Sequence, residues 1–312
     1  MRDPTVDQRK DKMLQDMGCE FRDLQRYDFR VLRGIETAMR FFDWAPLDEL
    51  STYARLPQEE VNYRIGRLSR YKLVQRKTAH YVGYKLTFAG YDALGIDTLV
   101  RKNVIELLGS KVGVGKESDI YDAKREDGEI VIVKFHREGT TFRHVKRSRG
   151  YFGQAERCSW MLASKLAAER EYEALMKLQK SVTVPKPISH NRHIVVMGFL
   201  EGREISNTAL EAPLAVFNEI MLQIKLAYES GVIHADLSEY NVIVCAGGKV
   251  ALIDWPQWVP VSHPNAEELL VRDIGNLLAY FARKYQVKKR IEDCVTYVKY
   301  RDSDPQKRSS VN

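Results

Sequence analysis

The chain has 312 residues, enough for two domains with a core each, and its composition, 44% hydrophobic and 29% charged, is that of a water-soluble globular protein. No run approaches the roughly 18 consecutive apolar residues of a helical membrane span, so no membrane is expected among its partners. The formal net charge of +7 points instead to a polyanionic partner, because Lys and Arg gain affinity by releasing counterions from phosphates.

The opening MRDPTVDQRKDK is charged throughout and lacks the apolar stretch of a secretory signal. Residues 28–95 read as short helices followed by two strands. LDELSTYARL is a first amphipathic helix; PQEEVNYRIGRLSRY is a second, begun at Pro57, with Val61, Ile65 and Leu68 at helical spacing. LVQRK and YVGYKL alternate as strands about a turn at Thr78 to His80. Helix, turn, helix, hairpin is the order of a winged helix, whose second helix enters the DNA major groove. Arg64, Arg67 and Arg70 recur on what the spacing assigns to the side away from the apolar stripe, with Arg76, Lys77 and Lys85 on or beside the hairpin. These are candidate nucleic-acid contacts; the plainer alternative is a solvated basic face on a protein-docking module.

AGYDALGIDTLVRKN leads out as a helix, and a second domain begins near residue 96. GSKVGVGKESDIYDAKREDGEIVIVKFHR gives strands with a glycine-bearing turn, and residues 137–157 hold six Lys or Arg against two Glu, a local basic cluster. SWMLASKLAAEREYEALMKLQK is a long helix, HIVVMGFLEG a buried strand and its exit, and PLAVFNEIMLQIKLAYESG and AEELLVRDIGNLLAYFARKY are further helices. Cys19, Cys158, Cys245 and Cys294 form no CxxC pair, which argues against a zinc site or a disulfide framework and for a reducing cytoplasm.

Phosphoryl transfer from ATP needs backbone over the phosphates, a lysine to neutralise them, hard oxygens for magnesium and a carboxylate beside the attacking oxygen. Four features could supply these in order. In GVGKES, Gly113 and Gly115 let main-chain amides approach an anion, although for such a stretch alone a glycine-rich hairpin turn is the commoner explanation. Lys134, 19 residues after Gly115 on the apolar strand IVIVKFHR, can point inward to phosphate between Val133 and Phe135. Glu171 on the long helix is a plausible ion-pair partner, with Glu169 a near competitor. His234, Asp236 and Asn241 follow H-x-D-L-x-x-x-N, and Asp254 arrives thirteen residues later at the end of VALID. That spacing offers a carboxylate for a hydroxyl nucleophile and an Asn with an Asp for the metal, with His234 holding the loop.

With these residues the chain resembles the Rio family of atypical protein kinases over residues 96–300. GVGKESDIY matches the Rio phosphate loop, with Ser118 in place of a third glycine. IHADLSEYN matches its catalytic loop, with Ser238 where other kinases carry a lysine, and IDWPQ replaces D-F-G. The preceding winged helix is similar to the second Rio subfamily. The resemblance implies an α+β fold, a winged helix domain over 1–95 followed by a bilobal protein-kinase-like domain over 96–300, with an N-lobe to about 197, a C-lobe from about 201 and a polar tail at 301–312. It implies ATP and Mg2+, with Mn2+ as a substitute, and an autophosphorylating serine/threonine kinase or ATPase. Asp236 would be catalytic, Asn241 and Asp254 the metal ligands, and Asp254 also the acceptor of an aspartyl phosphate. Gly113, Gly115, Lys116, Glu117 and Ser118 would hold the phosphates, Lys134 and Glu171 would position them, and Met197, Gly198 and Leu200 would meet adenine. The family role implied is cytoplasmic maturation of the small ribosomal subunit, bound to pre-ribosomal RNA and protein, with DNA the lesser candidate.

Two departures matter. No A-P-E follows IDWPQWVPVSHPNAEELLVRD, so the activation segment and peptide-docking lobe of ordinary kinases are expected to be missing. Lys134 and Glu171 lie 37 residues apart because the basic segment intervenes, and there a mobile loop is expected, with Thr140, Thr141 and Ser148 as autophosphorylation candidates. Two other readings stand beside this one. A small-molecule kinase of the aminoglycoside or choline type shares the catalytic loop and IDW, but GVGKESDIY and the winged helix weigh against it. A DNA-binding regulator with a vestigial kinase lobe is opposed by the complete set of polar residues.

Overall fold

A computed structural model of the chain describes residues 23–114, 117–137 and 160–300. Gly115, Lys116, Thr140, Thr141, Ser148 and the tail at 301–312 lie outside them. Of the described residues, those up to 137 with 160–165 and 191–194 form one compact unit, and 166–190 with 195–300 form another.

The first unit begins with α1 (Arg26–Ala38), a helix that the arginine-laced sequence RYDFRVLRGIETA conceals. Val31, Leu32, Ile35 and Ala38 are nonetheless fully buried, a stripe at helical spacing. Asp28 accepts from the Gln25 amide at 2.8 Å and so satisfies one of the free donors at the helix start. Next come β1 (Ala45–Pro46), a 3-10 turn at Leu47–Glu49, α2 (Leu50–Ala54), α3 (Gln58–Arg70), β2 (Val74–Thr78) and β3 (Val82–Leu86). The expected helix over 47–56 is thus a 3-10 turn and a short helix, ended where Arg55 takes the left-handed conformation at φ 54°. The strands pair antiparallel in the order β1-β3-β2, and their apolar face closes on Leu50, Val61, Ile65 and Leu68. This is the winged helix.

Thr87 then caps α4 (Phe88–Arg101), accepting from the Gly90 amide at 3.1 Å. A Cβ at Gly90 would lie 2.1 Å from the Leu73 carbonyl oxygen, so this helix packs against bare backbone. The expected boundary at 95/96 falls inside α4. Beyond it β4 (Leu107–Val114), β5 (Ser118–Lys124) and β6 (Ile130–His136) form an antiparallel meander.

The second unit takes in the greater part of α5 (Trp160–Leu178), the neighbouring strands β7 (Pro187–Asn191) and β8 (Ile194–Gly198), and β9 (Gly202–Glu204). Helix α6 (Pro213–Glu229) leads to the two-residue strand β10 (Val232–Ile233), then β11 (Val242–Cys245), β12 (Val250–Leu252) and β13 (Val259–Pro260). Strands β12, β11 and β9 form one small sheet, and β10 with β13 another. Helices α7 (Ala266–Tyr285) and α8 (Ile291–Lys299) complete the unit, with Phe217 of α6 edge-on to Phe281 of α7 at 5.3 Å. Only residues 255–265 separate Asp254 from α7, and they contain one two-residue strand and no helix, so the long activation segment of ordinary kinases is missing. No described helix is long and apolar enough to cross a membrane.

Candidate active site

In the second unit the H-x-D-L-x-x-x-N residues occupy the link from β10 to β11. The β11–β12 ladder pairs Val242 with Leu252, and the Ile253 amide extends it to the Asn241 carbonyl at 3.0 Å. Asn241 and Asp254 therefore leave the same end of one small sheet. Asn241 donates from Nδ2 to the Asp236 carbonyl at 2.9 Å, which ties the third polar residue to the other two. His234 donates from Nε2 to the Ile253 carbonyl at 2.9 Å and packs its ring, tilted by 41°, 4.4 Å from that of Trp255. The sheet end and the loop are thus fastened on either side of Asp254.

Two of these residues carry backbone strain. Ala235 has φ 63° and Asp254 φ 67°, the left-handed region that costs non-glycine residues on the order of 1–3 kcal/mol and persists only where the surroundings enforce it. Helix α7 does the enforcing at Ala235. Its Asp273, 1% exposed, accepts from the Ala235 amide at 2.7 Å and the Leu237 amide at 3.1 Å, one on each side of Asp236. Arg272 donates to the Ala235 carbonyl, and Asn276 to the Leu237 carbonyl at 3.1 Å. The main chain around Asp236 is clamped while its side chain stays exposed. Burial raises the Asp273 carboxyl above the ordinary range, more than His234, Arg272 and the two amides lower it. Asp254 is followed by Trp255, fully buried with its indole N–H on the Leu252 carbonyl at 3.1 Å. Arg170 of α5 donates to the Pro256 and Trp258 carbonyls and accepts at its own carbonyl from the Trp258 indole at 3.0 Å.

Sequence reasoning missed Asp273, Asn276 and Arg170. The first had a readable signal: an acid at 273 inside the apolar stripe Leu269, Leu270, Ile274 and Leu277 of an amphipathic helix must serve a buried donor. Elsewhere in this unit Glu171 is 1% exposed, Met197 is buried, and the Gly198 amide bonds the Lys186 carbonyl at 2.8 Å; Leu200 is half-buried. Asn241, with Nδ2 engaged, keeps Oδ1 as an acceptor, and an amide oxygen together with the carboxylate of Asp254, which leaves the same end of the sheet, is a donor set that suits magnesium, an ion that retains waters and phosphate oxygens as its other ligands. Among the described residues no three His, Cys, Asp or Glu side chains cluster as a self-contained metal cage.

In the first unit Gly113 pairs with Ile120 and Ile120 with Lys134, so all three share one face of the meander. Lys134 is 5% exposed and neither it nor Glu171 is without a partner. Glu117 accepts at its carbonyl from the Arg137 amide at 2.7 Å, and Ser118 opens β5.

The basic face expected on α3 needs correction. Arg64 is 8% exposed and bonds Glu60 and Gln25, each at 2.6 Å, as well as Asp28. Arg67 bonds the Asp23 carbonyl at 2.6 Å and Asp28 at 3.4 Å. The reason is Asp28: a fully buried carboxylate on α1 requires cations, and α3 supplies them. Arg70, Arg76 and Lys77 remain exposed. Lys77 and Lys85 flank the ring of Trp44, at 5.7 and 5.0 Å, on the outer face of the wing.

This arrangement has known relatives. Residues 119–294 match the family model for the RIO domain, and residues 21–102 match that of the Rio2 N-terminal domain. The RIO-type serine/threonine-protein kinase Rio2 of Methanocaldococcus jannaschii is 42% identical over 81% of this chain and 95% of its own length. The serine/threonine-protein kinase rio2 of Schizosaccharomyces pombe is 35% identical over 85% of this chain and 78% of its own. Among solved structures, the Rio2 kinase-ADP/Mg2+-phosphoaspartate complex from Chaetomium thermophilum matches with a TM-score of 0.77 and 29% identity, covering 90% of this chain and 89% of that one. With a kinase-like domain lacking the long activation segment, behind a winged helix of the Rio2 type, the chain belongs to the RIO family of serine/threonine-protein kinases.

Proposed function

We propose that the chain is a magnesium-dependent ATP phosphotransferase and ATPase that acts on the maturing small ribosomal subunit. The observation that carries the chemistry is the fixed main chain at Asp236, Asn241 and Asp254, joined by the Asn241 Nδ2–Asp236 carbonyl bond and the Ile253 amide–Asn241 carbonyl bond, and on this reading it presents three oxygen-bearing side chains to the nucleotide. Asp236 accepts the proton of an attacking hydroxyl, a role that an exposed carboxylate on a fixed main chain suits. Asn241 Oδ1 and the Asp254 carboxylate would hold Mg2+, which when bound would supply positive charge to the phosphates. In the first unit, the main chain at Gly113, Glu117 and Ser118 suits phosphate oxygens, and Lys134 supplies a positive charge.

The Chaetomium relative's phosphoaspartate supports a second use of Asp254. Its carboxylate oxygen would bond the γ-phosphorus as the bond to the ADP oxygen breaks, and water would then cleave the acyl phosphate to inorganic phosphate. Such a cycle hydrolyses ATP without a peptide substrate, in keeping with the short 255–265 segment. Partners are approached through the winged helix, whose exposed cations among the described residues include Arg70, Arg76 and Lys77, and the polyanion they suit is pre-ribosomal RNA. The cytoplasm is the proposed setting.

Incubation with γ-labelled ATP and Mg2+ tests the chemistry. Hydroxylamine-labile label lost in Asp254→Asn is the expected result for the acyl phosphate, and acid-stable label reports transfer to hydroxyls. Neither label nor free phosphate from the wild-type chain would refute the proposal.

A further inference from the structure

Arg137, the last described residue before the basic segment, is built into the first unit by more contacts than strand termination requires. Its Nη1 and Nη2 fork onto the two oxygens of Asp92 at 2.6 and 2.8 Å, and its Nε donates to Asp119 at 2.8 Å. Lys111 of β4 holds the other oxygen of Asp119 at 2.6 Å. The guanidinium lies 5.2 Å from the Phe88 ring centre and 5.3 Å from that of Phe135, and His193 shares Asp92 at 2.6 Å. The result is an ionic ladder, Asp92–Arg137–Asp119–Lys111, from helix α4 to the two arms of the glycine turn. Burial works against each ion inside it, yet the pairing keeps Asp92 and Asp119 below the usual carboxylate range and lifts Arg137 above its ordinary value.

The ladder falls where the backbone alone is weakest. Strand β4 slips register between Leu108 and Lys111 and again between Lys111 and Gly113, so regular pairing does not fix the leading arm. The returning arm is gripped twice by one residue: the Arg137 amide bonds the Glu117 carbonyl one step beyond the Ser118–His136 pair, and its side chain takes Asp119. We infer that Arg137 is a positioning residue for the described ends of the phosphate-binding segment, Gly113 on β4 and Glu117–Ser118 before β5, set by Asp92 of α4, so that these ends take their placement from the helix that leaves the winged helix. The planar fork is essential to this, because a lysine ammonium offers its three donors from a single point and lacks the rigid spread that lets Nη1 and Nη2 pair Asp92 while Nε reaches Asp119.

The inference rests on the proposal that this turn binds the ATP phosphates, and one experiment separates the two. Affinities of the full chain for ATP with Mg2+ and for adenosine are measured by calorimetry for wild type, Arg137→Met, Arg137→Lys, Asp119→Asn and Lys134→Met. Asp92 keeps His193 as a partner in Arg137→Met, and a thermal melt checks that the variant is folded. Arg137→Met should weaken ATP about tenfold and leave adenosine within about twofold, with Asp119→Asn less affected and Arg137→Lys only partly restored. Parallel weakening of ATP and adenosine, or no change in either, overturns the positioning role while Lys134→Met still weakens ATP. Wild-type chain that binds ATP no better than adenosine, with Lys134→Met silent, overturns the phosphate-turn reading and the inference with it.

Discussion

The loop around Asp236 and the β4 and β5 arms on either side of Gly113 and Ser118 are held in opposite ways. The loop is fixed through its main chain by side chains of one helix, centred on a carboxylate that is 1% exposed. The arms are fixed chiefly through side chains in a chain of alternating charges, of which Lys111 is 35% exposed and Asp119 20%. Buried amide–carboxylate bonds are indifferent to salt, whereas partly exposed ion pairs are screened. The loop around Asp236 is thus set by buried, salt-insensitive bonds, and the β4 and β5 arms are set in part by ion pairs that salt screens.

The sharpest break in this comparison is at Asp236 itself. Asp236→Asn should lower turnover by about 10²–10⁴-fold while ADP affinity stays near wild type, because it removes the proposed proton acceptor and leaves the clamp. Next is Asp273→Ala, which strands the Ala235 and Leu237 amides; each buried donor left unmade costs about 1–3 kcal/mol, so both urea stability and turnover should fall. Arg64→Leu should cost roughly 2 kcal/mol in the same assay by weakening the support of buried Asp28, with little change in RNA affinity. Arg70→Gln should do the reverse, flattening the salt dependence of RNA binding by about 0.7 in logarithmic slope with stability nearly unchanged.

The smallest effect concerns pH. Burial pushes the His193 imidazole down, beyond what Asp92 restores, so the folded chain keeps it neutral where an unfolded chain would protonate it. The unfolded state then binds more protons, so this contribution to stability is complete above about pH 6.5 and is lost as pH falls below it. The thermal midpoint of wild type should drop from about pH 7 to about 5.5 more than that of His193→Gln.

What could be read in advance divides along the same line. Motif residues such as Asp236, Asn241 and Asp254 have a fixed spacing because they meet within a few residues of paired strands, so linear order carries their geometry. The clamp does not show in that way: Asp273 lies 37 positions beyond Asp236, and only its misfit in an apolar stripe betrays it. Helix α1 was hidden because Arg26, Arg30 and Arg33 interrupt the pattern that Val31, Leu32 and Ile35 complete. The placing of Arg64 on a solvent face failed because its burial depends on Asp28, 36 residues earlier, which no spacing rule connects to it.

Helix α4 gives these observations a practical edge. Dividing the polypeptide at 95/96 would cut through that helix and assign Asp92 to one fragment and Arg137 to the other. A kinase half begun at residue 96 would inherit a buried guanidinium stripped of its forked counterion, and the detached winged helix an orphaned carboxylate. The two parts are therefore poor candidates for independent inheritance or shuffling, and any change that bends this one helix reaches both.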